Sequence, residues 1–180
     1  MSCEATLVQP AEGGSVHDVR RDLTLLHAEA WSWAVLCCRG DRQGAHDVLH
    51  DAYVQILSGR ATFKRRSSFK TWVFGVIRVV AMATRRRRLL RDFLFEPIGP
   101  VAESIAAPEV APRAPPRLLA AMRALPRRQN EIVTLVFAHD LTLEEAASVM
   151  SISIGAARQH HARAKQKLRA ALIDLETSHE

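Results

Sequence analysis

The chain has 180 residues, of which 48% are hydrophobic, so it can fold as one domain or as two small ones. Its formal net charge is +6, and the spacing of Cys3, Cys37 and Cys38 fits neither a disulfide framework nor a metal site, so a reducing cytoplasm is expected. The first residues lack the pattern of a signal peptide, and no uncharged apolar run is long enough to cross a bilayer, so membrane insertion is not expected. Ala, Arg and Leu are the commonest residues, which favours an all-α fold.

The N-terminal third predicts two helices. Residues 1–14 have no hydrophobic period and are expected to be disordered. From Ser15, apolar side chains recur at helical spacing to about Arg39. Asp41 can cap a second amphipathic helix, which Gly59 ends.

Acidic side chains lie on one face of the second helix. Asp47 and Asp51 are four residues apart and therefore share that face with the neighbouring His50. Two interpretations remain: a solvated acidic face, which composition alone favours, or a docking surface for a basic partner.

A basic segment follows, from residue 60 to residue 91. It contains eleven basic residues and no acidic one, and aromatic side chains interleave with the charges in its first half. Cations bind phosphates and aromatic rings stack on unpaired bases, so the segment suits nucleic acid. The alternative is a core position for Trp72 and a solvated helix end for the arginines, but the self-repulsion of so many like charges favours nucleic-acid contact. The predicted contacts are Lys64, Arg65, Arg66, Phe69, Lys70, Trp72, Phe74, Arg78, Arg85, Arg86, Arg87 and Arg88.

The local pattern places these side chains on a third helix. Ser68 is the expected N-cap, after a loop over residues 60–67. Phe74 and Arg78 are predicted to lie off the buried face of this helix. The predicted core-facing stripe is Phe69, Trp72, Val73, Val76, Ile77 and Val80.

A proline-rich stretch divides the chain. Residues 92–116 contain six prolines and little hydrophobic periodicity, which is typical of a linker. Two small helical domains are therefore expected, at residues 15–91 and 117–176.

The second domain predicts a helix-turn-helix. A short helix precedes Pro126, another follows it, and Thr142 with Glu145 forms a capping box that opens a third. Ser153 then caps a long basic helix after a tight turn. A short helix, a tight turn and a longer basic helix are typical of helix-turn-helix DNA binding, although a surface helix of a bundle is the alternative.

The outward side of the last helix carries candidate DNA contacts. Arg163 could pair with guanine and Gln159 with adenine, while Arg158 and Lys167 could hold phosphates. His160 flanks this side and is included among the predicted contacts. His161 faces the packing side, and adjacent helical histidines diverge too far to form a metal pair.

Together these motifs resemble the extracytoplasmic-function (ECF) group of bacterial RNA polymerase sigma factors, which contain only regions two and four. The resemblance rests on residues 45–53, on the segment from Phe63 to Val76, and on the patterns beginning at Leu125, Leu141 and Ile154. It implies that Asp47, His50 and Asp51 meet the β′ clamp helices of core RNA polymerase, that residues 63–76 open and read the minus-ten promoter element, and that the last helix reads the minus-thirty-five element. It also implies a contact with the β flap, binding of promoter DNA and control by an anti-sigma factor.

The chain departs from that family at four positions. The family usually has Asn where Val79 stands, in a pocket for a flipped promoter base, and Gln where His50 stands. It usually has Arg at His160 and a larger apolar residue at His161.

Other functions fit less of the chain. A sigma-like regulator that does not initiate transcription would leave the basic segment without a role, and an ordinary helix-turn-helix repressor would leave it unexplained. Because the sequence has no glycine-rich phosphate loop, metal-ligand spacing or nucleophile beside a base, neither an enzyme nor a cofactor is expected.

Overall fold

The computed structural model describes residues 16–94 and 116–176, which form α-helices and no strand within those ranges. The helices are α1 (Val16–Cys37), α2 (Arg42–Leu57), α3 (Phe69–Leu94), α4 (Pro116–Arg123), α5 (Arg127–Phe137), α6 (Leu143–Met150) and α7 (Ile154–Glu176). The expectation of an all-α fold is confirmed. The predictions for residues 1–14, for a cap at Ser15 and for most of the linker lie outside the described residues.

Helices α1, α2 and α3 pack on one another as an N-terminal bundle. Trp33 is its largest fully buried side chain, and its ring stacks on Phe74 with centroids 5.8 Å apart. The indole Nε1 donates a hydrogen bond of 3.0 Å to the Phe74 carbonyl oxygen. The burial of this large aromatic pair fixes α3 against α1.

Two predicted caps in the N-terminal bundle are confirmed. The Asp41 carboxylate accepts from the Gly44 amide at 2.9 Å and begins α2. Ser68 Oγ accepts from the Thr71 amide at 3.2 Å and begins α3. Each cap satisfies an amide that has no partner within its own helix.

The predicted buried face of α3 is partly wrong. Phe74 and Arg78 were expected to lie off the core, yet they are 0% and 3% exposed. Phe69, Trp72 and Val76, expected in the core, are only half-buried. The physical reason is that α3 is covered from two directions, by the rest of its own bundle and by the second half of the chain.

Helices α4 to α7 form a C-terminal bundle around Ile132, Leu135 and Ala157, all fully buried. The predicted capping box is present: the Thr142 hydroxyl accepts from the Glu145 amide, and the Glu145 carboxylate accepts from the Thr142 amide. Ser151 then takes a left-handed conformation with φ of 52°, which makes the tight turn into α7.

The two bundles are in contact, chiefly where α3 packs on α6. Arg78 of α3 lies against Glu131 of α5, and both side chains are almost fully buried. A two-domain chain was expected, but this contact was not. Within the described ranges, no helix has the length and apolar character needed to cross a membrane.

Candidate polymerase and nucleic-acid interfaces

The acidic face of α2 is exposed to solvent. Asp47, His50 and Asp51 all lie on the surface, and Gln43 Nε2 donates to Asp47 at 3.3 Å. The apolar Val54 is 41% exposed and continues the same side of the helix one turn further on. The exposed face therefore combines two carboxylates with one apolar side chain.

A basic loop precedes α3. Its cations Lys64, Arg65 and Arg66 are exposed, and Arg65 has a positive φ of 53°, which turns the chain sharply there. Behind this loop stand three half-buried rings in mutual contact. The ring centroids are 5.6 Å apart for Phe63 and Phe69, 5.2 Å for Phe63 and Trp72, and 5.6 Å for Phe69 and Trp72. The rings hold the loop and its charges at one edge of the bundle.

The remaining predicted contacts in the first half of α3 are less accessible. Lys70 is half-buried and forms an ion pair with Glu29 of α1. Its ammonium also lies 5.9 Å from the centre of the Phe74 ring. Because Phe74 and Arg78 are buried, neither can touch DNA in this conformation.

The arginine run forms a second basic surface further along α3. Arg85, Arg86 and Arg87 are exposed, while Arg88 is half-buried with Nη1 3.6 Å from the Asp41 carboxylate. Partial burial and the nearby guanidinium groups of Arg39 and Arg127 lower the pKa of Arg85. Such a concentration of positive charge favours binding of a polyanion.

The outward side of α7 is exposed as predicted. Gln159, Arg163 and Lys167 lie on the surface, and His160 is half-buried. Arg158 is exposed with Nη2 3.7 Å from the Glu144 carboxylate. Gln159 and Arg163 share the outward side of the helix and could enter a groove of duplex DNA together, while Arg158 and Lys167 lie on its two opposite flanks.

His161 lies on the opposite, packing side of α7. Its ring stacks on Phe137 with centroids 5.7 Å apart. Burial, followed by the charge of Lys165, lowers the pKa of His161, so the neutral ring is favoured. The packing agrees with the structural position predicted for this histidine. Within the described residues, no group of His, Cys, Asp and Glu side chains is placed to bind a metal.

Two family models cover both bundles. Residues 19–90 match Sigma-70 region 2, and residues 121–170 match Sigma-70, region 4. The chain belongs to the sigma-70 family. Members of this family are non-catalytic subunits that direct RNA polymerase to promoters and start transcription.

Curated relatives place this sigma factor in the ECF group. It is 25% identical over 135 residues to the ECF RNA polymerase sigma factor EcfG of Rhodopseudomonas palustris, covering 74% of each chain. It is 27% identical over 145 residues to the ECF RNA polymerase sigma factor SigF of Caulobacter vibrioides, covering 81% of this chain and 80% of the relative. The ECF RNA polymerase sigma factor SigX of Bacillus subtilis is 26% identical over 121 residues, covering 63% and 62%.

Two solved structures share the fold of this sigma factor. One is the sigma factor RpoE in complex with the anti-sigma factor NepR from Bartonella quintana, with a TM-score of 0.65, 22% identity and coverage of 86% and 96% of the two chains. The other is CnrH in complex with the cytosolic domain of CnrY, with a TM-score of 0.58, 18% identity and coverage of 89% and 91%.

In this sigma factor the contact between the bundles contains charged residues that sequence reasoning missed. Glu131 is 1% exposed and its Oε2 lies 3.4 Å from both Nε and Nη2 of Arg78. Its Oε1 accepts from Nε of Arg127 at 2.7 Å. The only sequence signal was an acidic side chain next to the apolar stripe of α5, four residues after an arginine.

His139 was also missed. Its ring lies against the stacked pair of Trp33 and Phe74, edge-on to both, with centroid distances of 6.3 and 4.8 Å. Nδ1 is 3.6 Å from the Glu29 carboxylate, too far for a hydrogen bond, and has no other partner. A histidine of the C-terminal bundle thus sits on the central aromatic pair of the N-terminal bundle.

Acidification should weaken this contact. Burial first, and then the charge of Lys70, lower the pKa of His139, and this outweighs the opposite influence of Glu29 and Asp140. With the bundles apart the imidazole regains its ordinary pKa, so the separated state binds the proton more readily. The stabilisation of the contact by neutral His139 is therefore complete above about pH 6.5, and it falls as the pH drops through the lowered pKa of His139.

We expect the radius of gyration from small-angle scattering to increase between about pH 7.5 and about pH 5.5. His139→Gln, which cannot titrate, is the control and should show no change over this range. The lowered pKa of Glu145 acts only below the ordinary carboxylate range, so it does not contribute in this window. An equal increase in the radius of gyration of the unsubstituted protein and of His139→Gln would show that the pH effect does not arise from His139.

Proposed function

We propose that this sigma factor docks on core RNA polymerase through the acidic face of α2. The surface position of Asp47, His50 and Asp51 supports a contact with the basic β′ clamp helices, and exposed Val54 adds apolar area to it. The C-terminal bundle would meet the β flap. Both contacts would be made in the cytoplasm, where polymerase works.

The same proposal assigns duplex DNA to α7. Gln159 and Arg163 are exposed side by side and have the geometry to read adenine and guanine in the major groove. Arg158 and Lys167 flank them and would hold phosphates, with half-buried His160 at the margin. These contacts would fix the register of the complex on the minus-thirty-five element.

Opened DNA would meet the N-terminal bundle. The basic loop carries Lys64, Arg65 and Arg66 in front of the aromatic trio, an arrangement that suits a single strand with unstacked bases. The arginine run, residues 85–88, would hold phosphates further upstream. Unstacking costs on the order of a few kcal/mol per base, so binding energy can open the promoter without nucleotide hydrolysis.

Regulation by an anti-sigma factor is part of this proposal. Both structural neighbours described above were solved as complexes, one explicitly with an anti-sigma factor. The shared fold supports an anti-sigma factor as a partner of the present chain.

One observation carries the proposal: the exposed acidic face, the exposed basic loop and the exposed side of α7 occur together on a region 2 and region 4 fold. Adding the protein to core polymerase should give discrete transcripts in a runoff assay on genomic fragments. Core polymerase alone is the control. If no fragment yields a promoter-specific transcript, the initiation function is ruled out.

A sigma-like regulator that binds polymerase without opening DNA is the second candidate. Val79 favours it, because this position is 60% exposed and carries an apolar side chain where the family usually has Asn. Permanganate reactivity separates the two functions, since an initiating sigma factor exposes unpaired thymines near the start site. Polymerase binding with unchanged permanganate reactivity would select the regulator.

A further inference from the structure

The contact between the bundles contains a buried ion pair and a set of hydrogen bonds that cross from one bundle to the other. Arg78 and Glu131 have side chains 4% and 2% exposed, and they come from different bundles. A buried charge that loses its partner is strongly destabilising, so Arg78 requires Glu131 in the closed arrangement, whereas Glu131 also pairs with Arg127 of its own bundle.

A second polar connection joins two helix N-termini. Glu145 uses Oε2 to cap its own helix, α6. Its Oε1 accepts from Thr71 Oγ1 at 3.1 Å and from Ser68 Oγ at 3.3 Å, and Ser68 is the cap of α3. The hydrogen bond from the Thr142 amide is the largest cause that lowers the pKa of Glu145, and the hydrogen bonds from Thr71 and Ser68 add to it. The start of α3 is therefore tied to the start of α6.

The contact between the two bundles covers one side of α3 and leaves other surfaces accessible to solvent. A cleft of about 340 Å³ runs between α3 and α6, with Thr71, Gly75 and Val79 on one wall and Ser148 and Ser151 on the other. The acidic face of α2 and the outward side of α7 remain exposed. Polymerase and duplex DNA can thus approach while α3 is still covered.

We propose that the C-terminal bundle acts as an internal lock, which competes with the opened promoter strand for the first half of α3. This inference rests on the proposed role of α3 in binding opened DNA. Release of the Arg78–Glu131 pair and of the Glu145 hydrogen bonds separates the bundles and uncovers Thr71, Arg78 and the α3 wall of the cleft. The basic charge of Arg78 then becomes available to phosphate.

Separation can be measured by energy transfer between two dyes. Arg21 on α1 and Arg169 on α7 are exposed and can be replaced by cysteine, with Cys3 replaced by serine. Burial raises the pKa of Cys37 and of Cys38, the latter to about 11, so these thiols react slowly at neutral pH. The labelled protein with the native Arg78–Glu131 pair should show a high efficiency of energy transfer.

Glu131→Ala should lower that efficiency, because it leaves Arg78 buried without a partner. Glu144→Ala is the matched control, since this exposed glutamate on α6 lies outside the contact. Arg78→Met combined with Glu131→Met should restore high efficiency, because an apolar pair can replace a buried ion pair. Unchanged efficiency in Glu131→Ala, or low efficiency in the unsubstituted protein, overturns the lock.

The masking of α3 needs a second measurement on the same variants. The probe is a fluorescent DNA duplex of randomised sequence with a central unpaired bubble, followed by anisotropy. Glu131→Ala should bind it about tenfold more tightly, as expected if the native chain is open about a tenth of the time. Circular dichroism of each variant tests that the helices remain folded.

The outcomes separate this inference from the proposed function. Lower transfer efficiency without a gain in bubble affinity overturns the masking of α3. If neither protein binds the bubble, the proposed DNA site on α3 is wrong, and the energy-transfer result still decides whether the lock exists.

Discussion

Trp33→Ala should lower the free energy of unfolding of the N-terminal bundle by ~3–5 kcal/mol, the range for removing a buried Trp or Phe side chain. Trp33 is fully buried, stacks on Phe74 and donates to its carbonyl oxygen. The substitution leaves a cavity between α1 and α3, and it also removes the surface on which His139 rests. Urea unfolding followed by circular dichroism measures the loss.

Trp31→Ala is the matched control on the same helix. Trp31 is half-buried, and its main charged neighbour is Arg42, whose guanidinium carbon lies 5.8 Å from the ring centre. Its removal should lower the free energy of unfolding by less than the removal of Trp33, because only part of the Trp31 side chain packs against the core. Similar losses for the two tryptophans would show that Trp33 is not the centre of this core.

Asp51→Lys should weaken binding to core polymerase about tenfold, equivalent to about 1.4 kcal/mol. The carboxylate is exposed on α2, so its reversal leaves the fold intact but places like charges against a basic partner surface. Fluorescence anisotropy with labelled protein measures the affinity, and transcript yield at limiting sigma factor should fall in parallel.

Asp22→Lys makes the same charge change on the exposed surface of α1 and should leave polymerase affinity unchanged. The difference in polymerase affinity between Asp51→Lys and Asp22→Lys should become smaller as salt is added, because exposed charges are screened. Equal affinities at low salt would place the polymerase-binding surface elsewhere.

The sequence determined the local structure of this protein. Asp41, Ser68 and Thr142 begin their helices as predicted, because a cap is a hydrogen bond between residues two or three positions apart. The same local rule places Ser153, whose hydroxyl accepts from the Ala156 amide. Periodicity also identified the buried side of α7, where Ala157 and Ala164 are fully buried.

Much of the candidate site followed from the same patterns. The exposed positions of Asp51, Lys64, Arg86 and Arg163 agree with the faces that helical and loop spacing assigned to them. Their proposed roles with polymerase and DNA remain predictions, since exposure makes a contact possible without identifying the partner.

Only the tertiary structure decided which residues join the two bundles. Arg78 and Glu131 are 53 positions apart, and His139 meets Phe74 across a similar distance along the chain. Helical periodicity assigns each side chain to a face of its own helix, but it contains no information about which distant helix will cover that face. Arg78 therefore reads as a surface cation in the sequence and becomes a buried ion-pair partner in the fold, because a second helical bundle excludes water from it.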